Sequence, residues 1–194
     1  MTLIIGLTGS IAMGKTTVAT QLAELGARVS DADAVVHQLL AEDKELILHI
    51  AKIFPNTVEE GRVNRKSLGV EVFADEAKLT ALEKLLHPKV RTENVALIKQ
   101  AKTEGWPLLV LEIPLLFETG AQVICDKVIV VSCSPEMQRA RAMAREWMTE
   151  DKFQKILARQ MPDAEKRKRA DEVIDTSNGL ESSKTQLEAF ISKL

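Results

Sequence analysis

The sequence predicts an α/β fold, a five-stranded parallel sheet with helices on both faces. Short apolar runs alternate with longer helical patterns along the chain. The runs are apolar throughout instead of alternating with polar residues, which marks strands buried on both faces. A glycine-bearing turn joins the first run to the first helical pattern, as phosphate-binding α/β proteins require.

The first strand is predicted over Leu3–Leu7, bounded by Thr8 and Gly9. Lys15–Leu25 follows with Val18, Ala19, Leu22, Ala23 and Leu25 at helical spacing. A short second strand, Ala27–Val29, ends in Ser30 and Asp31. Residues 42–103 contain no convincing strand and read as a helical insertion, with Pro88 predicting a break or kink in the Ala77–Lys102 pattern. Leu108–Ile113 and Lys127–Ser132 are the third and fourth strands, and Val173–Ile174 is the fifth and weakest. Helices are expected at Pro135–Ala144, Glu150–Arg159 and Leu180–Leu194, with a second, more polar insertion at 145–170. The core is then 1–41, 104–144 and 171–194 of a single 194-residue domain.

A net charge of −2 argues against a general nucleic-acid or membrane-surface binder, since those carry excess positive charge. The two cysteines, Cys125 and Cys133, match no zinc or redox spacing and read as packed residues. No stretch approaches the length of a membrane helix, and MTLIIGLTG lacks the basic and small-residue features of a signal peptide. The expected location is the cytoplasm.

Residues 9–16, GSIAMGKT, fit G-x-x-x-x-G-K-[ST] between a strand and a helix. This is the P-loop pattern, and each residue type has a physical reason. Gly9 and Gly14 let the backbone turn tightly and approach an anion. The N–H groups from Ala12 and Met13 onward and the helix N-terminus face phosphate. Lys15 reaches the β- and γ-phosphates, the Thr16 hydroxyl suits Mg²⁺, and the Thr17 hydroxyl an α-phosphate. The chain is therefore expected to bind a nucleoside triphosphate.

Asp31 and Asp33 lie beyond the second strand, at the sheet edge where α/β proteins bind ligands. A carboxylate there can take a proton from an attacking hydroxyl or cap the next helix. Spacing alone leaves open which of the two does which.

LTGSIAMGKTTVA, then DAD with His37 four residues after Asp33, then LHPKV, IPLLFETG, QRARAMAR and ARQMPDAEKRKRADEVIDTSNG, in this order, resemble the dephospho-CoA kinase family along nearly the whole chain. The resemblance implies a nucleoside-monophosphate-kinase-like P-loop fold with a helical CoA-binding insertion at 42–103 and a lid at 145–170. It implies transfer of the ATP γ-phosphate to the ribose 3′-hydroxyl of dephospho-CoA, the last step of CoA synthesis, with Mg²⁺. It assigns Asp33 to chemistry and leaves Asp31 as support. His87 is either an acceptor contact or structural. Pro114, Leu115, Leu116 and Phe117 suit a wall against the pantetheine arm or a packing anchor, and Glu118 a site edge.

Residues 139–169 hold ten Lys/Arg against five acids. The family pattern Q-x-x-R-x-x-x-R fits Gln138, Arg141 and Arg145, and implies that both arginines reach ATP phosphates. Arg139 is out of register and expected in solvent. The turn at Asn178 and Gly179 is expected against the adenine. Three positions depart from the family pattern. Ala12 replaces a usual glycine, costing about 1 kcal/mol if φ is positive there. Glu112 stands where aspartate or an apolar residue is usual, and Glu146-Trp147 where a small turn residue is common. A monomer acting on ATP and dephospho-CoA is expected, without nucleic acid or membrane partners. The rivals are another nucleoside or nucleotide kinase, and an NTP-binding regulatory protein. The lack of an N-K-x-D base-reading motif counts against the latter.

Overall fold

The computed structural model describes residues 1–73 and 75–194. In chain order the elements are β1 (Leu3–Thr8), α1 (Lys15–Glu24), β2 (Arg28–Asp31), α2 (Ala32–Glu42), α3 (Lys44–Ile53), β3 (Val58–Glu59), β4 (Arg62–Val63), α4 (Arg65–Phe73) and α5 (Glu76–Glu104). They continue with β5 (Leu108–Glu112), β6 (Lys127–Ser132), α6 (Pro135–Met143), α7 (Glu150–Arg159), α8 (Asp163–Lys168), β7 (Glu172–Asp175) and α9 (Leu180–Ile191). The chain forms two compact units, Met1–Ser30 with Ile98–Leu194, and Asp31–Leu97.

The first unit carries a five-stranded sheet in the order β2-β5-β1-β6-β7. The pairs β1 with β5, β1 with β6 and β6 with β7 are parallel. Ile5, Leu7, Val110, Ile129 and Val131 face one side, packed with Val18 and Leu22 of α1 and Leu187 and Phe190 of α9. Ile4, Leu109, Leu111, Val128 and Val130, one residue out of phase, are buried on the other side. Burial on both faces is why these strands read as continuous apolar runs. Chain order reverses beside β1, so the crevice at a switch point opens at the carboxyl end of β1, where GSIAMGKT begins.

The second unit is held by Leu39, Leu40, Leu46, Ile50, Phe54, Leu68 and Leu82. Lys89 reaches Asp43 at 3.0 Å and Glu45 at 2.6 Å, so the lysine of LHPKV ties helix to helix. Two expectations need correction. Residues 58–63 form a small antiparallel hairpin, β3 with β4, around Glu60 and Gly61, both at positive φ. Pro88 lies inside α5 and does not break it.

Candidate active site

The phosphate loop is shaped by contacts beneath it. A side chain on Gly9 would sit 2.4 Å from the Val131 carbonyl oxygen, so the loop crosses directly over β6 and only glycine fits. Gly14, at φ 97°, caps α1 in the left-handed region. Met13 is buried, and its sulfur lies 3.2 Å from the Cys133 N–H, so Met13 anchors the loop by its side chain. Ala12 stands at φ 61°, the positive value at which its departure from glycine costs energy. The Lys15 ammonium donates to the Gly9 and Ser10 carbonyls at 2.9 and 3.3 Å, bracing the loop's entrance.

Thr16 and Thr17 are exposed in the first turn of α1, which contains no acidic residue. N–H groups in a first turn have no intrahelical acceptor, and the helix end is partially positive. A turn of this kind can receive an anion. Among the described residues no cluster of three or more His, Cys, Asp or Glu side chains is arranged to hold a metal. A cation held by Thr16 and nucleotide phosphates fits that donor set better than an all-protein cage.

Arg141, on α6, is fixed by two bonds to Thr176 at the end of β7. One nitrogen donates to the hydroxyl and one to the carbonyl, both at 2.8 Å. The same hydroxyl donates to the Met13 carbonyl at 2.8 Å. Thr176 thus joins the phosphate loop to the arginine that sequence reading assigned to ATP. Arg145 is exposed, its guanidinium 5.9 Å from the centre of the Trp147 ring. Arg139 is exposed and pairs with Glu150 at 2.9 Å. Asn178 and Gly179 form an exposed turn before α9, with Gly179 at φ 87°. Asp175 accepts from the Ser177 N–H at 2.8 Å, and the Ser177 hydroxyl and N–H hold its carboxyl below the usual range.

In the second unit, Asp31 caps α2, its carboxylate accepting the Asp33 N–H at 2.8 Å. Asp33 lies in the first helical turn and is exposed. The structure therefore divides the pair as capping chemistry requires, with Asp31 the cap. His87 is exposed on α5.

The family model for dephospho-CoA kinase matches residues 3–182. The chain belongs to the dephospho-CoA kinase family. A dephospho-CoA kinase of Agrobacterium fabrum is 48% identical over 194 residues, covering 100% of this chain and 99% of the relative. A solved Thermus thermophilus structure superposes with a TM-score of 0.80 at 37% identity, covering 99% of this chain and 97% of that one. A Campylobacter jejuni dephospho-CoA kinase gives a TM-score of 0.68 at 27% identity over the same shares. The chain is accordingly an ATP-dependent kinase with a P-loop core.

Within this kinase, the turn after β5 has a different texture from a simple acceptor wall. Leu116 is fully buried against Gly6, and Phe117 is buried beneath Arg169, whose guanidinium lies 6.0 Å from the ring centre. Leu116 therefore supplies core packing. Pro114 and Leu115 are partly exposed, and the Pro114 carbonyl accepts from the Thr8 hydroxyl at 3.1 Å. Glu118 accepts from the Met161 N–H at 2.7 Å and pairs with the fully buried Lys166 at 2.9 Å. Its other oxygen is buried and accepts no bond among the described residues. Glu112 is buried at the end of β5.

Sequence reading missed Thr176, Lys166, Gln160 and the role of Gln138. Gln138 was visible in its pattern with Arg141, but nothing local marks Thr176 or Gln160. Their bonds to the loop span more than a hundred residues of chain.

Proposed function

We propose that this kinase transfers the γ-phosphoryl group of ATP to the ribose 3′-hydroxyl of dephospho-CoA, giving CoA and ADP. Family membership supports the substrate pair. The residue roles rest on the division of labour at DAD, where Asp31 is committed to capping while Asp33 stays exposed beside it. Asp33 is the base that takes the hydroxyl proton, because a secondary alcohol is a poor nucleophile without one. The Gly9–Thr17 loop binds the triphosphate, with Lys15 moving onto the β- and γ-phosphates. Arg141 and Arg145 neutralise charge as the phosphoryl group moves, a role suited to the guanidinium fork. Mg²⁺, held by Thr16 and the nucleotide, would add charge neutralisation between the phosphates.

Residues 42–103 are read as the acceptor-binding insertion and 145–170 as the lid. His87, Pro114, Leu115, Phe117 and Glu118 are the acceptor contacts, and Asn178-Gly179 the adenine contact. One chain carries both the cradle and DAD, which supports a monomer as the working unit. The net charge of −2 supports small-molecule partners over nucleic acid or membrane. Two unpaired cysteines suit the cytoplasm. No helix among the described residues is long and apolar enough to cross a membrane.

ADP release with ATP is to be measured against dephospho-CoA and a panel of nucleosides and nucleotides. Dephospho-CoA is expected to be preferred. Asp33→Asn is expected to lower kcat by about 10²–10⁴, the usual range for a lost general base, while ADP affinity holds. Full turnover in Asp33→Asn removes the residue from the chemistry. A preference for another acceptor overturns the substrate.

A further inference from the structure

Ile11, at the crest of the phosphate loop, is held on both of its backbone polar groups. Its N–H donates to Gln160 Oε1 at 3.0 Å, and its carbonyl accepts from Gln138 Nε2 at 2.8 Å. Donor and acceptor requirements fix both amide orientations: an N–H needs the amide oxygen, a carbonyl the amide nitrogen. Gln138 is buried on α6, ahead of the 145–170 segment, and Gln160 caps the end of α7 within it. The next residue, Ala12, holds its left-handed conformation with its methyl in a small apolar cluster with Ala142, Met148 and Phe153. Two successive loop residues are therefore gripped by residues 138–160.

We propose that Gln138 and Gln160 are positioning residues for ATP. They hold the crest of the loop in its turn before nucleotide arrives, and they tie that turn to the position of the lid. The grip engages the Ile11 N–H and leaves the first turn of α1 to receive phosphate. The inference rests on the reading of this loop as the ATP cradle. It assigns a role to two glutamines that touch no reacting atom.

The two glutamines play opposite parts, and this gives the test. Gln160→Glu keeps an acceptor facing the Ile11 N–H, whereas Gln138→Glu sets an acceptor against the Ile11 carbonyl. Gln138→Glu and Gln160→Leu are each expected to raise the ATP KM about five-fold, the loss of one ordinary hydrogen bond. The acceptor KM and saturating kcat should stay within about two-fold, a split that general destabilisation does not produce. Amide exchange at Ile11, followed by NMR without nucleotide, is expected to be slow in the parent and in Gln160→Glu. It is expected to be fast in Gln160→Leu. Unchanged ATP KM in folded Gln138→Glu and Gln160→Leu overturns the proposal. Should a variant fail to fold, the parent decides: fast exchange at Ile11 in the nucleotide-free parent overturns it equally. Failure of the parent to bind ADP, with Ile11 still protected, instead counts against the cradle reading alone.

Discussion

Ala12 sets two opposed effects against each other within one residue. The left-handed conformation costs an L-residue about 1–2 kcal/mol. Its buried methyl returns about 0.8 kcal/mol. Alanine also has less unfolded-state freedom than glycine to lose, worth about 0.4–1 kcal/mol. The sum is near zero. Ala12→Gly is therefore expected to move the Tm by less than about 3 °C in thermal unfolding, with activity retained. A larger gain would show that strain outweighs packing. Gly9 allows no such exchange, because its neighbour is the backbone carbonyl of Val131 at 2.4 Å from any added carbon. At this scale the sequence is informative wherever chemistry is local. The pattern GSIAMGKT implies the turn, and with it the question of φ at Ala12. Gln160 lies 149 residues from the backbone it grips, and no periodicity or spacing encodes such a bond.

Among the elements, α8 is docked through a charge. Lys166 is fully buried, with its ammonium 2.9 Å from Glu118 and 3.4 Å from the Pro114 carbonyl. Removing one partner of a buried pair leaves an uncompensated charge, at a cost of about 3–5 kcal/mol. Glu118→Leu is expected to lower the Tm by about 10 °C at this chain length. The double variant Glu118→Leu/Lys166→Met should recover much of that loss, since replacing both charges with apolar groups of similar size is often neutral. Thermal unfolding of the three proteins checks this, and no recovery in the double variant would deny that the unpaired cation is the cause. Strands β1, β5 and β6 were legible because burial on both faces leaves nearly uninterrupted apolar runs. The β3–β4 hairpin was not, since two-residue strands are too short to show a period of two. Its one local signal is Glu60-Gly61, both at positive φ as a tight hairpin turn demands. Pro88 does not end α5: a proline removes one helical bond, and the rest of a 29-residue helix can carry the interruption.

For the whole molecule, stability should show a plateau bounded on both sides by identifiable groups. Asp43 is held low by the Leu46 N–H and by Lys89, and Asp175 by Ser177. A depressed carboxyl contributes stability above its unfolded value of 3.8, and that contribution is lost as pH falls through the folded value. At the alkaline end, burial and then Asp126 push the Cys125 thiol from 9.0 up to about 12. A raised group contributes fully below its unfolded value and loses its contribution as pH rises toward the folded one. Urea midpoints are expected to be flat from about pH 5 to pH 9 and to fall on either side, with Cys125→Ser shallower on the alkaline limb. An alkaline limb unchanged in that variant would assign it to other groups. The fold followed from the alternation of runs and helices, and the phosphate site from one motif. The braces that hold the site together came only with the third dimension.

The Thr176 hydroxyl touches both the Met13 carbonyl and Arg141. Loop and guanidinium are thus mounted on a common bench at the end of β7. If that strand end drifts, both are carried in the same direction, and the gap between them stays calibrated.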